Sequence, residues 1–443
     1  MNGIKDTIAA IATPYGTGGI SIIRISGDKS FDIISRLFSV KNLEPGRIYT
    51  GRISDKELFI DEVIVLPFKA PKSYTGEDVI EIQCRGGIYI TKKILDLTIK
   101  AGARYAQRGE YTKRAFLNHK MDLTQAEAVL DGINAKNEEF AVKSSANLSG
   151  RLASETEAIK SDITLLLSQI TAAIDFPEDV EEPEYSYLKE QITNIVSKIE
   201  RILKSAAGSN ALRQGIKIAS AGRPNAGKSS LFNALLNHER AIVTDIEGTT
   251  RDCIEETINI CGITASIIDT AGIRETENVN KAEAIGIDYS KKCIKDADIV
   301  IFLYDLTKGY TIEDDKIFQL IKNKPYIKAA SKSDLTEKRD EDAVCISVKT
   351  GENIELLKEK IKNMLEKQNL TETEFITNQR QQQALMSASD ALKNALEGIE
   401  NLVPQDIISI DIKSALMHIS EISGEVITDE ILNKIFDNFC IGK

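Results

Sequence analysis

The chain has 443 residues, 42% of them hydrophobic and 28% charged, which is enough for two or three domains with large cores. Its formal net charge of −11 argues against nucleic-acid binding by a diffuse basic surface, so any RNA contact must be local. No apolar run approaches the roughly 20 residues of a membrane span, no secretory leader opens the chain, and the six cysteines lack zinc spacing; we therefore expect a cytoplasmic protein with reduced thiols.

Residues 1–118 are predicted to form a compact α/β domain, because short β-like runs alternate with two helical stretches. The strands are predicted over Thr7–Ala12, Gly19–Ile25, Glu62–Leu66 and Asp78–Gln83, and the helices over Lys29–Leu37 and Ile88–Ala101. The stretch from Lys92 to Lys120 carries eight basic residues against two acidic ones. That balance fits a solvated helix and loop at least as well as an anion site.

Helical spacing of apolar residues dominates two further regions, 119–210 and 376–443. Helices are predicted within Leu123–Ala173 and over Leu188–Ala207, Asn378–Leu402, Ile410–Ile422 and Asp429–Phe436. The segment from Asp175 to Glu184, which contains two prolines and six acidic residues, is predicted to be a solvent-exposed turn between the first two. Because the helical regions flank a different pattern over 211–375, we expect a domain inserted into a helical domain whose halves pack together. Two unrelated helical appendages are the alternative.

The region 211–375 opens with a phosphate-binding pattern. A buried strand predicted over Ile216–Ala221 leads into G-x-x-x-x-G-K-S at residues 222–229. Glycines let backbone N–H groups approach phosphate oxygens, Lys228 brings charge to the β and γ oxygens, and Ser229 can offer its hydroxyl to Mg²⁺. The pattern predicts a nucleoside triphosphate site with the binding residues Asn225, Ala226, Gly227, Lys228, Ser229 and Ser230.

Two motifs downstream predict contacts with the metal and the γ-phosphate. The polar loop Gly248–Asp252 can supply a hydroxyl to the metal, and we expect it to be ordered only while γ-phosphate and Mg²⁺ hold it. The predicted strand Ile263–Ile268 precedes Asp269, Thr270, Ala271 and Gly272, which bring a carboxylate near Mg²⁺ and a glycine N–H near the γ-phosphate. Together with the phosphate loop they indicate a Ras-like P-loop GTPase domain.

The base-binding motif consists of Ser331, Lys332, Ser333 and Asp334, which follow another buried strand. Asp334 can accept hydrogen bonds from the guanine N1–H and 2-amino group, which adenine does not offer. Ser347-Val348-Lys349 completes the base pocket. GTPases usually carry Asn at the position of Ser331, so we expect one lost hydrogen bond of about 0.5–1.5 kcal/mol and weaker nucleotide affinity without lost guanine specificity.

Ile273 follows the Asp-Thr-Ala-Gly motif, where Ras-like proteins place the glutamine that orients the attacking water. Another group must therefore position the water and neutralise the developing charge. The amide oxygen of Asn225 is a plausible ligand for a monovalent cation, although asparagine is also common in turns. Glu283 is the nearest polar candidate for the water, and a solvated helix carboxylate is its alternative interpretation.

Seven segments spread over the chain share the pattern of one family. They are Gly222–Ser230, Thr244–Asp252, Ala12–Pro14 with Arg24–Gly27, Thr75–Val79, Ala115–Asn118 and the ending Phe439–Lys443. On these segments the whole chain resembles the MnmE (TrmE) family of tRNA-modifying GTPases. The terminal Cys440-Ile441-Gly442-Lys443 is the most discriminating, since other phosphate-loop GTPases lack it. One departure is Cys84-Arg85-Gly86-Gly87, where the family often has His-Gly-Gly, and we assign no histidine-dependent role there.

The resemblance implies an activity and its partners. Such proteins work with a flavin-dependent partner, MnmG, to add an aminomethyl or carboxymethylaminomethyl group to carbon 5 of the wobble uridine of certain tRNAs. The carbon comes from a tetrahydrofolate derivative (5,10-methylene- or formyl-tetrahydrofolate). GTP is hydrolysed with K⁺ as the activating cation when two GTPase domains meet across a homodimer. The implied fold is an N-terminal α/β folate-binding and dimerisation domain (1–118), helical halves (119–210 and 376–443) and the inserted GTPase domain (211–375).

The same resemblance implies roles for individual residues. K⁺ would be held by Asn225, Thr244, Ile246 and Thr249, and Mg²⁺ by Ser229 and Thr250; the switch segment that meets the nucleotide would comprise Thr244, Asp245, Ile246, Glu247, Gly248, Thr249 and Thr250. Glu283 would orient the attacking water. Folate would be bound by Arg24, Glu81, Lys120 and Lys443. Cys440 lies in the terminal motif near this site, where its thiolate could act as a nucleophile or its side chain could simply pack.

Two functions from different classes stay open on the sequence. In the first, the chain is an enzyme component of tRNA modification in which GTP hydrolysis drives a domain closure that gates folate chemistry. In the second, it is a switch or scaffold GTPase for RNA or ribosome assembly, without carbon transfer. The N-terminal domain and the terminal motif favour the first, and folate binding discriminates between them.

Overall fold

The computed structural model describes residues 6–135, 137–204, 216–238, 255–260, 263–268, 297–367 and 377–443, together with Arg213, Ile294, Lys295 and Phe375. The chain forms two compact units. The first comprises residues 1–130, 145–196 and 384–443, and the second comprises residues 131–144 and 197–383. No helix in the described part of the chain is long and apolar enough to cross a membrane.

The elements are numbered here in chain order over the described residues. The strands are β1 (Ile8–Ile11), β2 (Ile20–Ser26), β3 (Tyr49–Asp55), β4 (Leu58–Phe68), β5 (Val79–Arg85), β6 (Arg104–Tyr105), β7 (Ile216–Ala221), β8 (Glu255–Ile260), β9 (Ile263–Ile268), β10 (Ile299–Asp305), β11 (Tyr326–Ser331) and β12 (Val344–Cys345). The helices are α1 (Ser30–Leu37), α2 (Ile88–Lys100), α3 (Glu110–Leu117), α4 (Leu123–Ile133), α5 (Glu138–Leu148), α6 (Arg151–Asp175), α7 (Tyr185–Lys204), α8 (Lys228–His238), α9 (Ile312–Ile321), α10 (Ile354–Lys367), α11 (Gln379–Glu400), α12 (Gln405–Ser423) and α13 (Asp429–Phe436).

The first unit contains a sheet whose described strands run in the order β3-β4-β5-β2-β1-β6. Neighbours are antiparallel except β1 and β6, which are parallel. Alternate residues of the central strands, such as Ile23 and Ile25 of β2 and Ile80 and Ile82 of β5, are fully buried in a core shared with α1 and α2. One face of the sheet therefore carries the core, as the two-residue repeat of a strand requires.

The helical part of the first unit joins segments from both sides of the middle region. Helix α6 packs along α12, and both bury residues at helical spacing: Ile159, Ile163, Leu166 and Ile170 on α6, and Ile408, Ile412, Ala415 and Ile419 on α12. Since these helices lie on either side of residues 211–375, the predicted insertion of one domain into a helical domain is confirmed. Unrelated helical appendages are excluded by this packing.

The second unit is built on a sheet of described strands in the order β12-β11-β10-β7-β9-β8, parallel except for the β8–β9 pair. Every residue of β10 is buried, and its alternate residues enter two different cores. Ile301 and Leu303 pack with α8 and α10, whereas Phe302 and Tyr304 pack on the side of α9. Helices on both faces of a mostly parallel sheet are the arrangement expected for a P-loop domain.

Strands with a clear apolar run agree with the prediction, and the weaker ones were missed. β7 and β9 match their predicted bounds. β3 and β8 were not predicted, because their sequences, YTGRISD and EETINI, mix polar residues or glycine into the run. Both lie at the outer edge of a sheet, where pairing with one neighbour stabilises a strand that has little apolar pattern of its own.

Candidate functional site

The phosphate loop connects β7 to α8 and folds around its own lysine. A Cβ atom on Gly222 would lie 2.0 Å from the carbonyl oxygen of Leu303, so only glycine fits beside β10. The Nζ of Lys228 donates to the carbonyl oxygens of Gly222 at 2.8 Å and Arg223 at 2.9 Å. The loop is therefore curled over the ammonium group, with α8 beginning at Lys228 directly behind it.

Asn225 stands at the outer turn of this loop. Its φ is +63°, a left-handed conformation that asparagine adopts more readily than most residues, and its side chain is exposed. Arg223, two residues earlier, anchors the loop to the start of α9 through Thr311 Oγ1 at 3.1 Å and Glu313 Oε2 at 2.6 Å. The loop conformation that presents Asn225 is thus held by a side chain outside the phosphate-binding pattern.

The base-binding motif lies at the carboxyl end of β11, next to the phosphate loop. The hydroxyl of Ser331 is buried and lies 2.7 Å from the carbonyl oxygen of Ala226 and 3.1 Å from that of Tyr304. Lys332 follows with φ of +62°, and its Nζ donates to Asp305 Oδ2 at 2.6 Å. The motif is therefore joined to the phosphate loop and to the end of β10.

Asp305 is ionised in this setting. Burial alone would raise the pKa of its carboxyl, but hydrogen bonds from Lys332 and Thr307 outweigh burial, and the pKa is lowered from its usual value. Thr307 contributes both its N–H, at 3.0 Å, and its hydroxyl, at 2.6 Å, to Asp305 Oδ1. A carboxylate with both oxygens engaged gives Lys332 a fixed position beside the base-binding motif.

Asp334 is the exposed member of the motif, and Ser347 orients it. The buried hydroxyl of Ser347 donates to Asp334 Oδ1 at 2.7 Å. Ser333, between Lys332 and Asp334, turns inward and donates to Glu352 Oε2 at 2.6 Å. The structure therefore brings the predicted 331–334 and 347–349 segments together, with one carboxylate facing outward.

The remaining predicted nucleotide and metal residues lie outside the described part of the chain. They are Thr244, Asp245, Ile246, Glu247, Gly248, Thr249, Thr250, Asp269, Thr270, Ala271, Gly272 and Glu283. Their roles stay predictions. Ser229 and Ser230, in contrast, belong to the first turn of α8, directly after Lys228.

A second group of predicted residues meets in the first unit. Arg24 on β2 and Glu81 on β5 are direct partners in the antiparallel register, and Glu81 Oε1 accepts from Nε at 2.9 Å and from a terminal guanidinium nitrogen at 2.8 Å. The Arg24 guanidinium also lies 5.3 Å from the ring centre of Tyr74 and 5.6 Å from that of Tyr111. Two aromatic rings that no sequence motif singles out therefore lie close to the Arg24 guanidinium.

The terminal motif reaches the same place. The N–H of Tyr111 donates to the Lys443 oxygen at 3.2 Å, and the hydroxyl of Tyr111 donates to the Arg24 carbonyl at 2.7 Å. Gly442 has a φ of +96°, and a Cβ atom there would lie 2.1 Å from the carbonyl oxygen of Ile11 on β1. Tyr111 thus links Arg24 and Lys443, which lie far apart in the sequence.

Lys120 and Cys440 flank this group. Lys120 is exposed beyond the end of α3, and its Nζ donates at 3.1 Å to the carbonyl of Pro71, in the loop that also carries Tyr74. The Cys440 side chain is exposed, and its carbonyl accepts from the N–H of Gly109 at 3.4 Å. Lys120 is thus joined to the loop that carries Tyr74, and Cys440 to the residue that precedes α3.

Two arginines of the basic stretch from Lys92 to Lys120 pair with carboxylates within the fold. Arg114 is 1% exposed and contacts Asp6 at 2.6 Å, Glu110 at 2.9 Å and Glu77 at 3.2 Å. Arg104 also pairs with Asp6 and Glu110. Burial would raise the pKa of the Glu110 carboxyl, but the Arg104 and Arg114 contacts and the Gln107 N–H lower it. No pattern in the sequence indicates this buried network, in which carboxylates of the protein itself engage Arg114.

Comparison with known proteins gives a consistent match over the full length. Residues 7–120 match the model of the GTP-binding protein TrmE N-terminus, and residues 123–440 match that of the MnmE helical domain. A tRNA modification GTPase MnmE of Thermoanaerobacter pseudethanolicus is 42% identical, over 99% of this chain and 100% of the relative. A protein of the same name from Caldicellulosiruptor saccharolyticus is 43% identical, over 99% of each chain.

Proposed function

Because the chain belongs to the tRNA modification GTPase MnmE family, we propose that it is a potassium-activated GTPase that works with a flavin-dependent partner, MnmG. Together they add an aminomethyl or carboxymethylaminomethyl group to carbon 5 of the wobble uridine of certain tRNAs. The carbon is drawn from a tetrahydrofolate derivative. The packing of the terminal motif on Tyr111, beside the Arg24–Glu81 pair, is the observation that carries this proposal.

GTP binds at the phosphate loop and the base-binding motif of the second unit. Lys228 and the backbone N–H groups that follow Asn225 would meet the phosphates, and Ser229 with Thr250 would hold Mg²⁺. Asp334, oriented by Ser347, accepts from the guanine N1–H and 2-amino group. Two observations support these assignments. The residue types are those that the chemistry requires, and the segments lie at the carboxyl ends of parallel strands, where ligands bind in such sheets.

Potassium is assigned to Asn225, with Thr244, Ile246 and Thr249 as further ligands. The fit rests on the exposed amide of Asn225 at the left-handed turn of the phosphate loop, since an amide oxygen suits a hard monovalent cation. A bound potassium ion supplies positive charge near the phosphates. Asn225 would help to hold it there, while Glu283 orients the attacking water.

Tetrahydrofolate is assigned to the first unit, where it supplies the transferred carbon. Both Arg24 contacts go to Glu81 Oε1, which leaves Oε2 to accept from the pterin N3–H and 2-amino group. The rings of Tyr74 and Tyr111 fix the Arg24 guanidinium from two sides. Lys120 and Lys443 offer positive charge to the glutamate tail of the folate.

The exposed thiol of Cys440 is assigned to the same site as a candidate nucleophile. A homodimer that brings two GTPase domains together completes the proposal, with tRNA as the macromolecular substrate. The inserted position of the GTPase domain supports a coupling in which nucleotide state changes the helical domain around it.

Reconstitution tests the function as a whole. The full chain, the flavin-dependent partner, GTP, K⁺ and 5,10-methylene-tetrahydrofolate are incubated with unmodified tRNA, and the wobble nucleosides are measured by mass spectrometry. We expect a C5-substituted uridine that disappears when either protein or the folate is left out. If the uridine stays unmodified while GTP is still hydrolysed, the result would instead support a scaffold GTPase without carbon transfer.

Potassium activation has its own test. GTP turnover of the full chain is compared in KCl and NaCl at equal ionic strength, for wild type, Asn225→Ala and Asn323→Ala, an exposed asparagine of the same unit that serves as the matched control. We expect turnover at least about tenfold faster in KCl, an increase lost only in Asn225→Ala, because one cation near the phosphates contributes electrostatic stabilisation of at least this size. Equal rates in both salts would contradict the assignment.

Folate binding is tested by titrating the full chain with tetrahydrofolate. Glu81→Gln exchanges an acceptor oxygen for a donor, and we expect affinity to fall by about tenfold or more, since the pterin donors then face an amide. Glu62→Gln, an exposed carboxyl on β4, is the control. Equal affinity for all three proteins would remove Glu81 from the site.

A further inference from the structure

Ser331 replaces the asparagine that most GTPases carry at the start of the base-binding motif. It is 3% exposed at the end of β11, and its side chain points into the protein. Its Oγ lies 2.7 Å from the carbonyl oxygen of Ala226 and 3.1 Å from the carbonyl oxygen of Tyr304. One hydroxyl therefore joins the phosphate loop, the end of β10 and the base-binding motif.

The donor capacity of this hydroxyl is fully used. A serine hydroxyl has one proton, and both neighbours are carbonyl oxygens, which only accept. The shorter contact, to Ala226, takes the larger share of that proton. The remaining lone pairs of Ser331 cannot bond to guanine N7 or O6, because those atoms are acceptors as well.

We infer that Ser331 is a positioning residue, which sets the phosphate loop against the base-binding motif and makes no hydrogen bond to the base. Base reading then rests on Asp334, which recognises the N1–H and 2-amino edge of guanine. The inference rests on the nucleotide site proposed above and specifies which atoms of guanine that site reads. The chain should therefore be indifferent to the N7 position.

The geometry explains why a serine suffices here. Ser331 ends β11, and its own carbonyl accepts from the N–H of Leu306 at 3.0 Å, so the backbone is fixed close to β10. Gly227 packs beside this serine, since a Cβ atom there would make ordinary van der Waals contact with the Ser331 side chain at 3.7 Å. A short hydroxyl reaches Ala226 without bending either loop. Loss of the asparagine thus removes a base contact and leaves the join between the loops intact.

The test pairs protein variants with nucleotide analogues. Dissociation constants of GDP, 7-deaza-GDP and IDP, all with Mg²⁺, are measured for wild type, Ser331→Ala and Ser331→Asn. For wild type we expect GDP and 7-deaza-GDP to bind within about twofold of each other. Ser331→Ala should weaken both by about threefold to tenfold to the same extent, because the Ala226 carbonyl loses its buried donor.

Ser331→Asn provides the opposite signature. An amide has two N–H donors, so one can keep the Ala226 contact while the other reaches N7. We expect this variant to bind GDP about threefold to tenfold more tightly than 7-deaza-GDP. A merely structural role for residue 331 would not create a preference that depends on one atom of the base.

Two results would overturn the inference. If wild type binds 7-deaza-GDP at least about fivefold more weakly than GDP, a hydrogen-bond donor does reach N7. A Ser331→Ala affinity equal to wild type would mean that the join to Ala226 does not matter. Thr336→Ala is the control, because that hydroxyl accepts from the N–H of Lys338 and has no role in the nucleotide site; equal weakening in both variants would also count against Ser331.

Failure of the nucleotide site itself would look different. IDP lacks the 2-amino group that Asp334 is proposed to bind, so wild type should bind IDP at least about tenfold more weakly than GDP. If GDP and IDP bind equally, the guanine pocket is wrong. If wild type binds IDP more weakly than GDP but also binds 7-deaza-GDP more weakly than GDP, the guanine pocket is supported and the proposed role of Ser331 is wrong.

Discussion

The two candidate sites are assembled in opposite ways. In the second unit, short segments at the carboxyl ends of β7, β10 and β11 meet at one edge of a parallel sheet, and each segment carries its chemistry in a contiguous motif. In the first unit, Arg24 and Glu81 are joined by strand pairing, and Tyr111 and Lys443 come from the two sides of the inserted domain. The nucleotide site is local in sequence, whereas the proposed folate site is assembled by tertiary contacts.

This difference decides what a change to each site does. A side chain of the nucleotide site contacts the ligand from a loop whose backbone is already fixed by glycines and by the sheet. A side chain of the folate site depends on elements that the rest of the unit must bring together. Substitutions in the second unit should therefore alter ligand choice, whereas those in the first should alter affinity through the packing of the terminal motif.

Asp334→Asn should have the largest effect of these substitutions, a change in which nucleotide the second unit prefers. The amide presents a donor where guanine also donates, and xanthine presents an oxygen there instead. We expect the ratio of GTP to xanthosine triphosphate affinity to fall by at least about 100-fold, measured by competition binding. Asp342→Asn, an exposed carboxyl of the same unit, should leave the ratio unchanged. Unaltered preference in Asp334→Asn would remove that residue from the base pocket.

Gly442→Ala should disrupt the folate site without touching any ligand. The new Cβ would lie 2.1 Å from the Ile11 carbonyl, at a backbone φ of +96°, so the terminal motif must move away from β1. We expect tetrahydrofolate affinity to fall by about tenfold, which corresponds to about 1.4 kcal/mol, while guanine nucleotide affinity stays constant.

Gly19→Ala is the control for this change. Gly19 lies in the same unit, and a Cβ atom there would meet none of the described residues within 4 Å. The folate affinity of this variant should equal that of wild type. If Gly442→Ala binds folate normally, the terminal motif does not contribute to the site, and the contrast between the two sites loses its main support.

The same contrast explains how far the sequence could predict the molecule. The phosphate loop, the base-binding motif and the strands that precede them follow from contiguous patterns, and β7 has its predicted bounds. Tyr74, Tyr111 and the buried Arg114 network could not be predicted, because each acquires its role from partners tens to hundreds of residues away. The resemblance named Arg24, Glu81 and Lys443 but could not say that one tyrosine joins them.

Tyr111→Phe should have a smaller effect that separates the ring from the hydroxyl. Tyr111 is fully buried, and its hydroxyl donates to the Arg24 carbonyl at 2.7 Å. Removing that hydroxyl should lower the free energy of unfolding of the first unit by about 1 kcal/mol, measured by urea denaturation. Folate affinity should stay within about twofold, because the ring remains against the guanidinium. A tenfold loss of affinity would instead show that the hydroxyl orders the site.

The pH dependence of the Lys332–Asp305 pair should be the smallest effect, and it tests whether the nucleotide site is prearranged without ligand. The folded state lowers the Asp305 pKa, so this carboxyl adds stability above the ordinary aspartate pKa and loses it as pH falls through the lowered one. In Lys332→Gln a main partner that lowers the pKa is gone and the Asp305 pKa moves back up, so this variant should be less stable than wild type at neutral pH and should lose less stability as pH falls. Thermal midpoints of wild type, Lys332→Gln and the exposed Lys338→Gln are measured from neutral pH into acid. Only Lys332→Gln should start below wild type, and its curve should approach that of wild type in acid. Parallel curves for all three would mean that the pair forms only around bound nucleotide, and the nucleotide site would then resemble the folate site in needing its assembly completed.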